Sequence, residues 1–245
     1  VQRAIAGFCE LTTINDDDEK AHHVLKTAIE EEPLLALRFK SFKVCYRSNQ
    51  NTLIPSELFD AKSLDEYFDW VTEPDEKEIL VYDYIKNLDA FNVFSIHKKL
   101  FKKLNDTFSN PKLFDLNSVI IQNLLRENKG TRDKKMFVYK ENNSLHIYLI
   151  ENGKLIFSNI FSIETEEDFV YYVLAVCEQL HINTASLQVV LMGDIEKGNS
   201  FHELLTSYLE NISFADFPKG IYMPQEMQHV PAHRFHHLFA LALCE

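Results

Sequence analysis

The chain has 245 residues and carries 25 Lys and Arg against 37 Asp and Glu, a formal charge of −12. Such a length fits one large domain or two modest ones and buries roughly 70–75% of its unfolded surface, and 12% aromatic content with 19 Phe excludes a disordered chain. The negative surface repels phosphate backbones and anionic headgroups, so neither nucleic acid nor a membrane surface is an expected partner.

No apolar run reaches the ~18–20 residues of a membrane span, and no secretory signal is visible, so no membrane insertion is expected. Four cysteines, Cys9, Cys45, Cys177 and Cys244, stand far apart without a CxxC pair. They read as reduced core thiols of a cytoplasmic protein.

In chain order, an alternating strand is expected at Ala4–Leu11, then an acidic patch at Asn15–Glu19, a helix at His22–Glu31 and a strand at Phe39–Tyr46. A short helix follows near Leu64–Val71, then strands at Glu78–Ile85 and Ala90–Ile96. KKLFKKL (Lys98–Leu104) is the densest basic stretch; its apolar residues fall at helical spacing, which makes it the solvated face of an amphipathic helix near Ile96–Thr107. A strand at Lys112–Asp115 leads to a helix at Asn117–Glu127. The polar run Asn128–Lys135 is the natural inter-domain connection.

Beyond it, strands are expected at Lys135–Lys140, Leu145–Glu151 and Lys154–Phe161, with ENNS and Asn152-Gly153 as turns. Glu164–Asp168 then precedes a helix at Phe169–Leu180 and a strand at Leu187–Met192. Thr165 and Asp168 have capping-box spacing, and capping accounts for the acids better than a bound Mg²⁺ does. SFHELLTSYLENI reads as a helix and Ser213–Pro224 as an irregular loop packed by its own aromatics. A closing helix carries Pro231 near its first turn. The order strand, acidic patch, helix, strand occurs at both Ala4–Tyr46 and Leu155–Met192, which suggests an internal duplication.

Three antiparallel strands, a helix, a strand and a helix, occurring twice, resemble the plan of the actin-like ATPase fold. More closely, VFSIHKKLFKKLNDTF, FDLNSVIIQNLLRE and LHIYLIENGKLIFSNIFSIETEEDFVYYVLAVCEQL resemble a bacterial domain-of-unknown-function family with that fold, distantly similar to pilus and cell-division assembly ATPases. The resemblance implies an α/β protein of two ribonuclease-H-like lobes with mixed sheets and helices packed on them. The lobes are residues 1–110, lacking an N-terminal strand, and residues 111–245, whose closing helix (about 230–244) can pack back on the first.

It also implies two Asp-x-Gly hairpins that cradle phosphate, backed by Mg²⁺. The matching turn here is Glu141-Asn142-Asn143-Ser144, without Gly or Asp. The other hairpin is expected before Val1. The adenine-side Gly-Gly pair is matched by Gly193 followed by Asp194, whose carboxylate adds bulk and negative charge.

The expected reading is therefore a non-catalytic or degenerate actin-like module that works through contacts with a protein partner. The alternative is an ATP-binding ATPase or kinase with atypical phosphate loops, using ATP and Mg²⁺ through Asn142, Asn143, Ser144, Gly193 and Asp194. No catalytic residue is assigned. His233 and His237, four apart, are weak metal candidates against ordinary surface histidines.

Overall fold

The structure is a computed structural model that describes residues 3–4, 25–27, 29–32, 39–48, 50–69 and 76–244. The proposed first copy of the duplication, Ala4–Tyr46, lies largely outside these residues. The chain divides into two units, residues 6–119 and residues 120–245 with residues 1–5.

Two short strands open the described chain, β1 (Arg3–Ala4) and β2 (Lys43–Tyr46). In residues 6–119, β3 (Asn51–Pro55), β4 (Glu78–Ile85) and β5 (Ala90–His97) form an antiparallel sheet with β5 in the middle. Between β3 and β4 lies the short helix α1 (Leu64–Phe68), which buries Phe68 completely. After β5 come α2 (Lys98–Thr107) and β6 (Lys112–Asp115); β6 pairs in parallel with β2 and lies beside β4.

Leu100 and Leu104 of α2 pack with Ile96 and Phe108 into one cluster, and Lys98, Lys99 and Lys102 face solvent. The basic stretch is thus the wet side of an amphipathic helix. On β4 and β5, Ile79, Val81, Asp83, Phe94 and Ile96 share the inward face, because paired residues of an antiparallel ladder point the same way.

The division between units falls within α3 (Leu116–Glu127), a helix buried over most of its length. The polar run read above as an inter-domain connection instead joins α3 to β7 inside one unit. The next turn but one packs closely on it: a Cβ on Gly153 would meet the Asn128 carbonyl at 2.9 Å.

The second unit follows the expected plan from β7 (Lys134–Glu141) through β8 (Ser144–Glu151), β9 (Lys154–Ser162), α4 (Glu166–Gln179) and β10 (Gln188–Gly193) to α5 (Ser200–Thr206), and then adds β11 (Ile212–Phe214). The sheet order is β11-β10-β7-β8-β9, antiparallel among β7, β8 and β9 and parallel among β7, β10 and β11. Met136, Val138, Ile147, Leu149, Val189 and Leu191 present one apolar face to Phe169, Val173 and Val176 of α4. The start of α4 is fixed by the capping box of Thr165 and Asp168, which satisfies orphan N–H groups at the helix end.

Three elements differ from expectation. The helix of SFHELLTSYLENI stops at Thr206, and Ile212–Phe214 becomes β11, because its backbone completes the parallel edge beside β10. The loop that follows contains β12 (Ile221–Tyr222), which pairs in parallel with β1. The closing helix is only α6 (His236–Leu241), since the His233 carbonyl accepts the Gly193 N–H and turns out of helical register.

Candidate functional site

In an α/β sheet, ligands gather at the carboxyl ends of the parallel strands. In residues 120–245 that end brings the residues expected from the sequence close together. Gly193, last in β10, pairs with Lys140 of β7, and the β7–β8 turn holds Asn142 and Asn143. Asn142 adopts the left-handed backbone at φ 48°, and Ser144 begins β8 opposite Glu141.

The backbone there is already committed. The Gly193 N–H donates to the His233 carbonyl at 2.9 Å, and the Asp194 N–H donates to the Lys140 carbonyl at 2.7 Å. Gly193 sits at φ 82°, and a Cβ would lie 2.1 Å from the Lys140 carbonyl oxygen, so only glycine fits. The Asp194 carboxylate turns to Arg234 at 3.4 Å. Asn143 accepts the Ile163 N–H through its carbonyl at 2.9 Å.

Lys140 is a site residue the sequence reading missed. It shares the face of Met136 and Val138, so its stem runs along the core and only 8% of it is exposed. Its ammonium donates to the Asn142 carbonyl at 3.1 Å and lies 4.5 Å from the centre of the Phe201 ring. Burial pushes its pKa down, against the charges of Asp194, Glu166 and Glu141, which push it up. Glu166 is held by the Ser200 hydroxyl at 2.7 Å, which lowers its pKa.

The histidines do not form the surface cluster expected. His236 is 3% exposed. Its Nδ1–H donates to the Asp216 carbonyl at 2.9 Å, so its Nε2 accepts from Asn123 Nδ2 at 2.9 Å, and Asn123 Oδ1 accepts from Arg126. This chain of donors fixes the neutral ring, in keeping with a pKa lowered mainly by burial. His237 packs edge-on to Tyr139, and burial with the neighbouring His236 pushes its pKa down to about 4. His233 precedes α6 and tilts against Phe214, so the spacing of His233 and His237 is not realised on one helix. Among the described residues no three His, Cys, Asp or Glu are grouped to hold a metal.

Residues 6–119 contain a second polar centre that the sequence reading did not find. Asp115, ending β6, accepts the Ser48 N–H and hydroxyl on one oxygen at 3.1 and 2.6 Å. Its other oxygen accepts Asn92 Nδ2 at 3.1 Å and the Asn117 N–H at 2.9 Å. Asp83 takes two donors, the Asp115 N–H at 2.7 Å and the Ser118 hydroxyl at 2.5 Å.

Burial raises the pKa of both acids, that of Asp83 to about 8. Four donors favour the charge on Asp115, and the proton belongs to Asp83. The alternation of Glu78–Ile85, which puts Asp83 in line with Ile79 and Val81, was the available signal for a buried acid.

A family model described as "Protein of unknown function (DUF3822)" matches residues 2–212. Among solved structures, a protein of Bacteroides thetaiotaomicron VPI-5482 with actin-like ATPase fold and unknown function is 24% identical, with a TM-score of 0.76 over 91% of this chain and 81% of that one. A chain of the PilM–PilN type IV pilus biogenesis complex is 12% identical, with a TM-score of 0.53 over 93% of this chain and 84% of that one. No curated protein sequence matches. At these identities the likeness establishes the fold alone: an α/β, actin-like ATPase fold.

Three substitutions test this geometry. Gly193→Ala destabilises the protein by at least about 2 kcal/mol in chemical denaturation, because strain and a backbone clash coincide. Asp83, with a folded pKa of about 8 above the ordinary 3.8, contributes stability that is complete below the ordinary value and lost as pH rises through 8. Asp83→Asn mimics the protonated acid, so its stability relative to the parent grows as pH rises from about 4 to about 8. Asp115→Asn sets its amide against the Ser48 donors and costs about 3 kcal/mol throughout that range.

By its sequence from residue 2 to residue 212, the chain belongs to the family described as Protein of unknown function (DUF3822).

Proposed function

We propose that this chain is a non-catalytic actin-like module that works by binding another protein. The carrying observation is the occupied strand end in residues 120–245. The Gly193 and Asp194 N–H groups, which stand where the fold's adenine-side pair would face a nucleotide, are both spent on carbonyls of the same chain.

Electrostatics supports the same reading. Lys140 and Arg234 face Asp194, Glu166 and Glu141, two cations against three anions, so the local field is net negative and opposes a triphosphate. Lys140 itself fills the space over Phe201. The alternative, an ATPase or kinase using ATP and Mg²⁺ through Asn142, Asn143 and Ser144, would need this end of the sheet to be rebuilt on binding.

Further support is indirect. A structural neighbour belongs to a complex of two proteins, PilM and PilN. Among the described residues no helix is long and apolar enough to cross a membrane, and Cys177 is a buried free thiol. A cytoplasmic location without nucleic acid as a partner is part of the same proposal, supported by that reduced thiol and by the formal charge of −12.

Calorimetry with Mg-ATP tests the reading. The expected result is no binding tighter than about 1 mM. Micromolar binding that is lost in Asn143→Ala establishes the ATPase or kinase alternative instead.

A further inference from the structure

The outward face of the β3-β5-β4 sheet in residues 6–119 carries an aromatic platform that the fold does not use up. Phe59 stacks on Phe91 with ring centres 3.9 Å apart and meets Tyr82 edge-on at 4.9 Å. Tyr84, paired with Phe91 across the strands, lies tilted against it with ring centres 4.9 Å apart. Tyr67 of α1 is pinned by its hydroxyl, which donates to the Leu58 carbonyl and accepts the Asp60 N–H.

The platform is rigid at its base and open at its top. Tyr82 remains 44% exposed, Tyr84 43% and Leu58 70%. A fixed, half-exposed set of rings loses little entropy when covered, which is what binding surfaces exploit.

Its rim is strongly one-signed. Glu57 and Asp60 flank Leu58 and Phe59, Asp65, Glu66 and Asp69 lie on and beside α1, and Asp89 holds the Tyr84 hydroxyl at 2.7 Å. All six are exposed, against the nearby cations Lys62 and Lys86. Six carboxylates around tyrosine rings repel nucleic acid and anionic lipid and attract cations. Of the cationic side chains, arginine suits best, since its flat guanidinium stacks on a ring while pairing with carboxylates at the edge.

We propose that this tyrosine-rich, acid-rimmed face docks an arginine-bearing segment of a partner protein. The inference rests on the reading of the chain as a contact module and gives that partner its chemistry. Tyr82 stacks under a guanidinium, Leu58 covers an apolar residue of the segment, and the rim acids set orientation and on-rate.

The probe is a short fluorescein-labelled peptide alternating arginine with leucine, followed by anisotropy on the full chain, beside a glutamate–leucine peptide of equal length. The arginine peptide binds, more weakly as salt rises, and the glutamate peptide does not. Tyr82→Ala, and separately Glu57→Lys with Asp69→Lys, each weaken binding about tenfold or more. Glu203→Lys with Glu210→Lys, an equal charge change at exposed sites in the other unit, leaves it within about twofold.

The proposal fails if the parent chain does not bind the arginine peptide. It fails equally if the face variants bind like the parent, or if the distant variant loses as much. The exposed Glu57/Asp69 pair keeps the test decisive should Tyr82→Ala unfold. Failure here with no uptake of Mg-ATP removes this face and leaves the contact-module reading standing; uptake of Mg-ATP removes that reading whatever the peptide does.

Discussion

The bond from the Asp194 N–H to the Lys140 carbonyl closes the end of the second unit's sheet. It forms because β10 and β7 run in parallel register to their last residues and Gly193 then turns through a left-handed backbone. Much else follows from that turn. It presents the Gly193 N–H to the His233 carbonyl, which holds the segment ahead of α6 out of the helix. It also brings Arg234 within reach of the Asp194 carboxylate. A strand end that another protein could offer to a ligand is here bonded to the protein's own closing segment.

The two units settle their polar strand ends differently. In residues 120–245 a lysine is drawn over an aromatic ring among carboxylates. In residues 6–119 two carboxylic acids share a dry network with serine and asparagine donors. Both arrangements leave few vacant donors for an anion, and both tie stability to pH. The network with Asp83 favours the acid side. The neutral His236 and His237 favour the alkaline side, since their lowered pKa values make stability fall as pH drops from the ordinary 6.5 toward about 4.

Periodicity made most of the described fold legible. The hairpins of β7, β8 and β9, the capping box at Thr165 and the wet face of α2 all follow from local patterning, which has no need of distant residues. What escaped was set by contacts far along the chain. The closing helix is cut short by a residue of β10, β11 exists only as an added edge, and Asn128–Lys135 is not a linker because the Gly153 turn packs on it. The site divides in the same way. Gly193 and the Asn142 turn were visible as a glycine and a turn signature. Lys140 was not, because a lysine at a strand end looks solvated until Phe201 is placed beneath it. Asp83 and Asp115 were hidden by separation, since their side-chain and loop donors come from Ser48, Asn92, Asn117 and Ser118 on three segments.

The central claim is that the backbone at the end of β10 is closed to a nucleotide. Heteronuclear amide NMR reads it directly. The account predicts that the Gly193 and Asp194 amide protons exchange slowly with solvent and keep their shifts when Mg-ATP is added at millimolar concentration. Fast exchange at both, or a saturable shift of either on adding the nucleotide, would contradict it.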